Sequence, residues 1–210
     1  MSFTLSPATE ADIAGMIDVW NSAFWRLAFQ PIFPDTPTGR EWRAKSFERS
    51  MKSPSQNCTH MVMTEDLEDG ARKVVALGRY FRYDEGEFDE DWTTRWEPEL
   101  PEDMKVEILG DGFFDLLARQ HRTVMGRRAH WYLEILATSS EYQKKGFGSK
   151  LLEWGIEKAD AEGLELYLDA RKGAQHLYEK FGYVEQTSAK DPKAVSAPML
   201  RPAIMRSNKV

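Results

Sequence analysis

One stretch constrains the fold more than any other. Residues 130–138, HWYLEILAT, read as an apolar strand, and residues 149–163, SKLLEWGIEKADAEG, repeat apolar side chains at helical spacing through Leu151, Leu152, Ile156 and Ala159. Between them SSEYQKKGFG breaks both patterns, and Gly163 is a plausible helix stop. A strand that turns over glycines into a helix presents the unpaired N–H groups of the first helical turn, at the positive end of the helix dipole. Such a terminus receives phosphate well. Glycine lets backbone approach the anion because no Cβ intervenes, and Lys144 and Lys145 add charge at the mouth.

Three phosphate cradles compete for this turn. A P-loop requires G-x-x-x-x-G-K-[ST]. Here Gly148 is followed by Ser149-Lys150, the reverse order, and no glycine lies five positions upstream. A dinucleotide fingerprint requires a third glycine, but Gly146-Phe147-Gly148 leads to Leu151 at that position and comes late in the chain. The third pattern, Q-x-x-G-x-G, is met by Gln143, Lys144, Lys145, Gly146, Phe147 and Gly148.

The remaining segments predict a mixed α/β chain. Phe3 to Ser6 reads as a short strand. Thr9 with Asp12 resembles a capping box ahead of a helix whose inward face is Ile13, Met16, Ile17, Trp20 and Phe24. A proline-rich loop follows, then a more polar helix over 40–52. Strands over 59–66 and 73–84 flank Asp69-Gly70, a hairpin signal. Residues 104–126 read as a helix with Ile108, Phe113, Leu116, Leu117 and Val124 inward. After the glycine turn and its helix come a strand over 164–170, a helix over 172–182, and two final strands over 183–189 and 197–205. The whole of 1–210 is expected to form a single domain, with a loose tail at 206–210.

Charge is unevenly placed. Asp84 to Asp103 holds ten acids and one base, Arg95, more negative than the chain's net charge of −6. It is expected to be an acidic surface excursion that also carries Phe88, Trp92 and Trp96. The net charge argues against a general binder of nucleic acid or anionic membrane, and no stretch is long and apolar enough to span a bilayer. Cys58 is the single cysteine, so no internal disulfide forms; it reads as a small, half-buried residue. With no basic and apolar leader pattern at the N-terminus, the expected location is cytoplasmic. No metal-ligand spacing occurs, so no metal is expected.

Taken together, LEILATSSEYQKKGFGSKLLEWG and ARKGAQHLYEKFGYVE closely resemble the GNAT superfamily of acetyl-CoA-dependent N-acetyltransferases. The family order is strand, Q/R-x-x-G-x-G/A turn, helix, strand, and a helix carrying L-Y-x-K-x-G-F, matched here by Leu177 to Tyr183. The resemblance extends along nearly the whole chain and is specific over about residues 131–185, looking most like fungal small-molecule members. It implies a GNAT fold: a mixed, mostly antiparallel sheet of about six to seven strands, splayed around the fourth and fifth and flanked by helices.

The resemblance also implies roles. Main-chain N–H groups of Gln143, Lys144, Lys145, Gly146, Phe147 and Gly148 would hold the coenzyme pyrophosphate, with Ser149 nearby. Leu136, Ala137 and Thr138 would pair with the pantetheine arm. Tyr178 aligns with the tyrosine that protonates the leaving thiolate, or is an aromatic packing residue. Glu134 is the leading candidate base, because a carboxylate inside an apolar strand is costly unless used; a solvent-facing or arginine-paired glutamate is the alternative, as are His130 or water as base. Period two places Tyr132, Glu134, Leu136 and Thr138 on one face. His176 is placed to line the coenzyme site. Ser140 stands where the family often has proline, and Arg171 and Lys172 where it has small or amide residues. The acceptor is expected to be a small-molecule primary amine, met by the aromatic residues near Trp20 and Phe24 and by the acidic excursion, whose simpler readings are helix core and a solvated face; the alternatives are a protein or peptide N-acetyltransferase, or a non-catalytic coenzyme A-binding or interaction module with the same fold. The chain is expected to be a monomer or homodimer.

Overall fold

The computed structural model describes residues 2–24, 30–53 and 57–204. The expected tail at 206–210 and part of the proline-rich loop lie outside the described residues. The strands are β1 (Phe3–Pro7), β2 (Cys58–Asp66), β3 (Arg72–Tyr83), β4 (His130–Thr138), β5 (Glu165–Arg171), β6 (Val184–Glu185) and β7 (Ser196–Arg201). The helices are α1 (Ile13–Phe24), α2 (Pro37–Lys52), α3 (Asp115–Met125), α4 (Phe147–Glu162) and α5 (Gln175–Glu179). One seven-stranded sheet runs β1-β2-β3-β4-β5-β7-β6. Its neighbours are antiparallel except β4 and β5, which are parallel. Among the described residues no helix is long and apolar enough to cross a membrane.

The layers follow from the strand periodicity. On one face Leu77 and Ile135 pack with Met16 and Trp20 of α1 and with Phe47 of α2, while Phe81 and Tyr167 pack with Ala118 and Met125 of α3. On the other face Tyr80, Leu133 and Leu168 pack with Leu152 of α4 and Tyr178 of α5. Local signals set the helix starts. The Asp12 carboxylate accepts the Thr9 N–H at 2.8 Å ahead of α1. The helix expected at 40 begins at Pro37, because Thr36 caps it through Gly39 N–H at 3.0 Å and proline suits the first turn.

Three expectations are corrected. Residues Glu107–Phe114 form a π-helical segment leading into α3. The wider turn shifts the phase, so Leu109 is fully buried and Ile108 is left 37% exposed. The last helix shrinks to Gln175–Glu179 between two positive-φ glycines, Gly173 and Gly182. The strand expected over 183–189 keeps only Val184–Glu185 before a short 3₁₀ turn at Thr187–Ala189.

A fourth correction matters for the site. Arg79 pairs with Ile135 and Tyr80 with Leu133, so Glu134 is the extra residue of a β-bulge in β4. Before the bulge Trp131 and Leu133 face α4; after it Leu136 does, while Ile135 and Ala137 face α1. Tyr132 and Leu136 therefore lie on opposite faces, and simple alternation stops at Glu134.

Candidate active site

β4 and β5 pair only from His130 opposite Glu165 to Leu133 opposite Leu168. Beyond that level β4 stays with β3 as far as Thr138 opposite Ala76. β5 stays with β7 as far as Arg171 opposite Ser196. The two parallel strands separate, and residues Glu134 to Thr138 keep one edge without a strand neighbour. Backbone groups along such an edge call for a partner.

A cavity of about 650 Å³ occupies this gap and reaches both faces of the sheet. Toward α1 and α3 its wall is aromatic: Trp20, Phe24, Trp96, Phe113 and Phe114. Trp20 and Trp96 meet edge to face at 5.8 Å, and Trp96 stacks on Trp42 at 5.4 Å. Toward α4 and α5 it is lined by Thr138, Gln143, Lys144, Gly148, His176 and Tyr178. The acids of 84–103 point largely to solvent while Phe88, Trp92, Arg95 and Trp96 are buried. The excursion thus contributes Trp96 to the cavity wall and none of its acids.

The glycine turn sits at the base of the gap. Gly146 takes φ 85° and ψ 2°, a left-handed conformation open to glycine at little cost, and α4 starts at the next residue without a side-chain cap. Lys144 is also left-handed, at φ 62°. Gln143 Nε2 donates to Thr138 O at 3.3 Å. Ser22 at the end of α1 braces the turn by accepting the Ser140 N–H at 2.9 Å. The Phe147 side chain is buried against Phe3 at 4.7 Å, so only its backbone is available to a ligand. Of the expected coenzyme residues, Leu136, Ala137, Thr138, Gln143, Lys144, Gly148 and Tyr178 line the cavity. Lys145, Gly146, Phe147 and Ser149 do not; Lys145 lies over the Tyr142 ring at 4.6 Å. Arg171 lines the cavity and, like Lys172, is exposed.

Tyr178 is buried on α5, edge-on to Tyr183 at 5.8 Å. Burial pushes its pKa up to about 12, which keeps the phenol protonated at neutral pH. Glu134 lies at the bulge with a side chain only 5% exposed. Its Oε1 accepts from Arg95 Nε at 3.2 Å and from Trp96 Nε1 at 3.1 Å. Arg79 Nη1 lies 3.0 Å from Oε2 as a charge contact without hydrogen-bond geometry. Arg79 is itself fully buried and donates to Arg95 O at 2.8 Å. The expected base is therefore clasped by two guanidiniums, the arginine-paired alternative.

His130, the other expected base, is not on the cavity wall. Its Nδ1 donates to Arg128 O at 2.7 Å, leaving Nε2 to accept from His121 Nε2 at 2.7 Å. Burial lowers the pKa of both rings, so this is a neutral pair within an aromatic cluster. His176 is exposed at the cavity mouth. Cys58 is half-buried and free, as expected.

Two wall residues escaped the sequence reading. Asp169 on β5 accepts at Oδ1 from Gln120 Nε2 at 2.6 Å and from the Tyr167 hydroxyl at 3.1 Å; Oδ2 is buried without a partner. Ser196 on β7 also has a buried hydroxyl without a partner. Both line the cavity. The signal for Asp169 lay in LELYLDA, where a carboxylate interrupts an apolar strand as Glu134 does in LEILA.

A mixed sheet opened at its centre, with a glycine turn and helix N-terminus at the base of the gap, is the architecture of the N-acetyltransferase fold class. The chain belongs to the acetyltransferase (GNAT) family, whose model matches residues 23–183. An uncharacterized N-acetyltransferase of Schizosaccharomyces pombe is 41% identical over 59 residues, a match spanning 28% of this chain and 24% of that protein. Among solved structures, the histone acetyltransferase HPA2 and related acetyltransferase of Corynebacterium glutamicum superposes with TM-score 0.61 at 24% identity, covering 99% of both chains. A mosquito arylalkylamine N-acetyltransferase like 5b gives 0.60 at 16% identity, covering 95% of this chain and 99% of that one. The PaiA N-acetyltransferase of Thermoplasma acidophilum, in complex with coenzyme A, gives 0.55 at 12% identity, covering 96% and 99%. At these identities the structural likeness is one of fold.

Proposed function

We propose that the protein transfers the acetyl group of acetyl-coenzyme A to the primary amine of a small molecule with an apolar or aromatic body, by direct attack in a ternary complex. The observation that carries this reading is one cavity through the β4–β5 gap, bordered by the glycine turn at one face and aromatic at the other. On the first side the N–H groups from Gln143 to Ser149 receive the pyrophosphate, with Lys144 and Lys145 adding charge. The free edge of β4 at Leu136, Ala137 and Thr138 pairs with the pantetheine arm, which aims the thioester at the level where the strands part. On the second side Trp20, Phe24, Phe113 and Phe114 enclose the body of the amine.

The chemistry needs a proton for sulfur. An alkyl thiol, taking about 8.5 for cysteine as a guide, is a stronger acid than the Tyr178 phenol, so outright donation is uphill. Tyr178 works as a relay: it gives its proton to the departing sulfur while regaining one from the nitrogen that becomes the amide. Glu134 is given a positioning role, its charge holding Arg95 behind the wall and fixing the Trp96 indole in it.

Thiol release from acetyl-coenzyme A tests this, measured across arylalkylamines, aliphatic polyamines and short peptides. Amine-dependent release with arylalkylamines is expected. Release with peptides alone would move the acceptor from small molecules to protein amines. Coenzyme binding without amine-dependent release from any class would overturn the proposal.

A further inference from the structure

An amine is an ammonium at neutral pH and attacks only after losing a proton. Two carboxylates stand at the level where attack occurs, Glu134 on β4 and Asp169 on β5. Glu134 is engaged by two guanidiniums and an indole N–H. Among the described residues no cation pairs with Asp169. From β5 it meets the Tyr167 hydroxyl and from α3 the Gln120 amide, and from β4 the Tyr132 phenol lies close enough to feel its charge. Across β7 its backbone partner is Pro198, one strand repeat from Ser196. Both donors go to Oδ1, which fixes the carboxylate plane and leaves Oδ2 buried and unpartnered. A buried acceptor left unpaired is costly, a cost that a cationic ligand removes.

Resting on the acetyltransferase reading above, we infer that Asp169 is the general base, taking a proton at Oδ2 from the acceptor ammonium, with the Ser196 hydroxyl as the neighbouring hydrogen-bond partner of the nitrogen. Asp169 and Tyr178 lie on opposite faces of the sheet, Asp169 with α3 and Tyr178 with α5. The first proton leaves the ammonium on the Asp169 side of the gap, and the proton passed from nitrogen to sulfur travels through Tyr178 on the other. The steps balance. An N–H bond of the ammonium breaks and an O–H bond forms at Asp169. The amine lone pair forms the C–N bond at the thioester carbonyl, and collapse of the tetrahedral adduct breaks C–S. Sulfur takes the Tyr178 proton, Tyr178 regains one from the nitrogen, and Asp169 releases its proton to solvent. Burial pushes the Asp169 pKa up to about 7, which matches a base that must also release its proton near neutrality.

The test compares wild type, Asp169→Asn and Glu134→Gln by coenzyme A calorimetry and by the pH profile of kcat/KM with the best amine of the panel. Asn keeps an oxygen for Gln120 and Tyr167 and cannot accept a proton. Expected are unchanged coenzyme affinity and a loss in kcat/KM of about 10²–10⁴-fold at pH 7. The loss should shrink as the pH approaches the amine's own pKa, where the substrate deprotonates itself. The wild-type acid limb near pH 7 should vanish in Asp169→Asn and persist in Glu134→Gln. Activity of Asp169→Asn within threefold of wild type, a deficit constant across pH, or an acid limb abolished by Glu134→Gln instead, would each overturn the assignment. A wild-type protein that binds coenzyme A yet releases no thiol with any amine marks failure of the acetyltransferase reading itself, and the base falls with it.

Discussion

Glu134 and Asp169 are the first residues past the last β4–β5 pair, Leu133 opposite Leu168, yet one carboxylate is ion-paired twice and the other keeps an unpartnered oxygen. Similar positions in two apolar strands have become two different electrostatic environments. Removing the charge at Glu134 leaves Arg79 and Arg95 buried without a counter-charge. Glu134→Gln is expected to destabilise the fold by about 3–5 kcal/mol, the usual cost of breaking a buried pair. Chemical denaturation measures this, and a change below about 1 kcal/mol would show that the pair is not structurally required.

Asp169 predicts the opposite response. Its folded pKa is about 7, against about 3.9 for an unperturbed aspartate. The fold favours the protonated form, so the contribution of this group is fully present below about pH 4 and lost as the pH rises through 7. Each pH unit in that window is worth about 1.4 kcal/mol. Asp169→Asn stays neutral throughout and should therefore gain thermal stability relative to wild type between pH 5 and pH 8. Melting curves at the two pH values decide it; an equal Tm difference at both would remove the buried-charge argument.

Tyr178 sits where packing and chemistry are both plausible, and one atom separates them. Tyr178→Phe retains the ring against Tyr183 and Leu152 and removes the hydroxyl. Turnover should fall about 10²-fold, with coenzyme A affinity within about threefold. Unchanged turnover would reduce Tyr178 to a packing residue.

Gly146 is held at φ 85°, and a Cβ there meets nothing within 4 Å. Gly146→Ala should cost about 1–2 kcal/mol of stability from the left-handed backbone alone. Coenzyme A affinity should fall further, by about tenfold or more, because the methyl lies at the mouth of the phosphate cradle. Calorimetry and melting on the same variant separate the two effects.

Gly155 is the contrasting glycine of the same helix. Its backbone is ordinary α-helix, but a Cβ would lie 2.4 Å from Tyr80 Cε1. Tyr80 is fully buried and its hydroxyl donates to Leu151 O at 2.8 Å, so the ring has no room to yield. Gly155→Ala should lower stability by about 1–3 kcal/mol through overpacking. A neutral effect in denaturant titration would mean that α4 and β3 separate more easily than their packing implies.

Much of this protein is written in short-range pattern. The strand over HWYLEILAT, the turn at Gln143 to Gly148 and the α4 stripe depend on residues within a few positions of one another. Period, glycine conformation and helix-end polarity fix them before any tertiary contact forms. The glycine turn ahead of α4 was legible for that reason, as was the order of strands and helices. Phase within α3 was less so. Ile108 and Leu109 compete for the same inward position, and a π turn, not visible as a change of composition, decides between them.

The fate of the carboxylates was decided only by the tertiary structure. Glu134 and Asp169 carry the same sequence signal, an acid within an apolar strand. Which one is neutralised depends on Arg95, 39 residues away in the acidic excursion, on Arg79 across a bulge in the neighbouring strand, and on Gln120 from α3. Charge and hydrogen bonding act through space over a few ångströms, so their partners are set by how the sheet opens and what packs over it. The local sequence determined the glycine turn that starts α4; the folded arrangement determined which carboxylate is left, among the described residues, without a counter-charge.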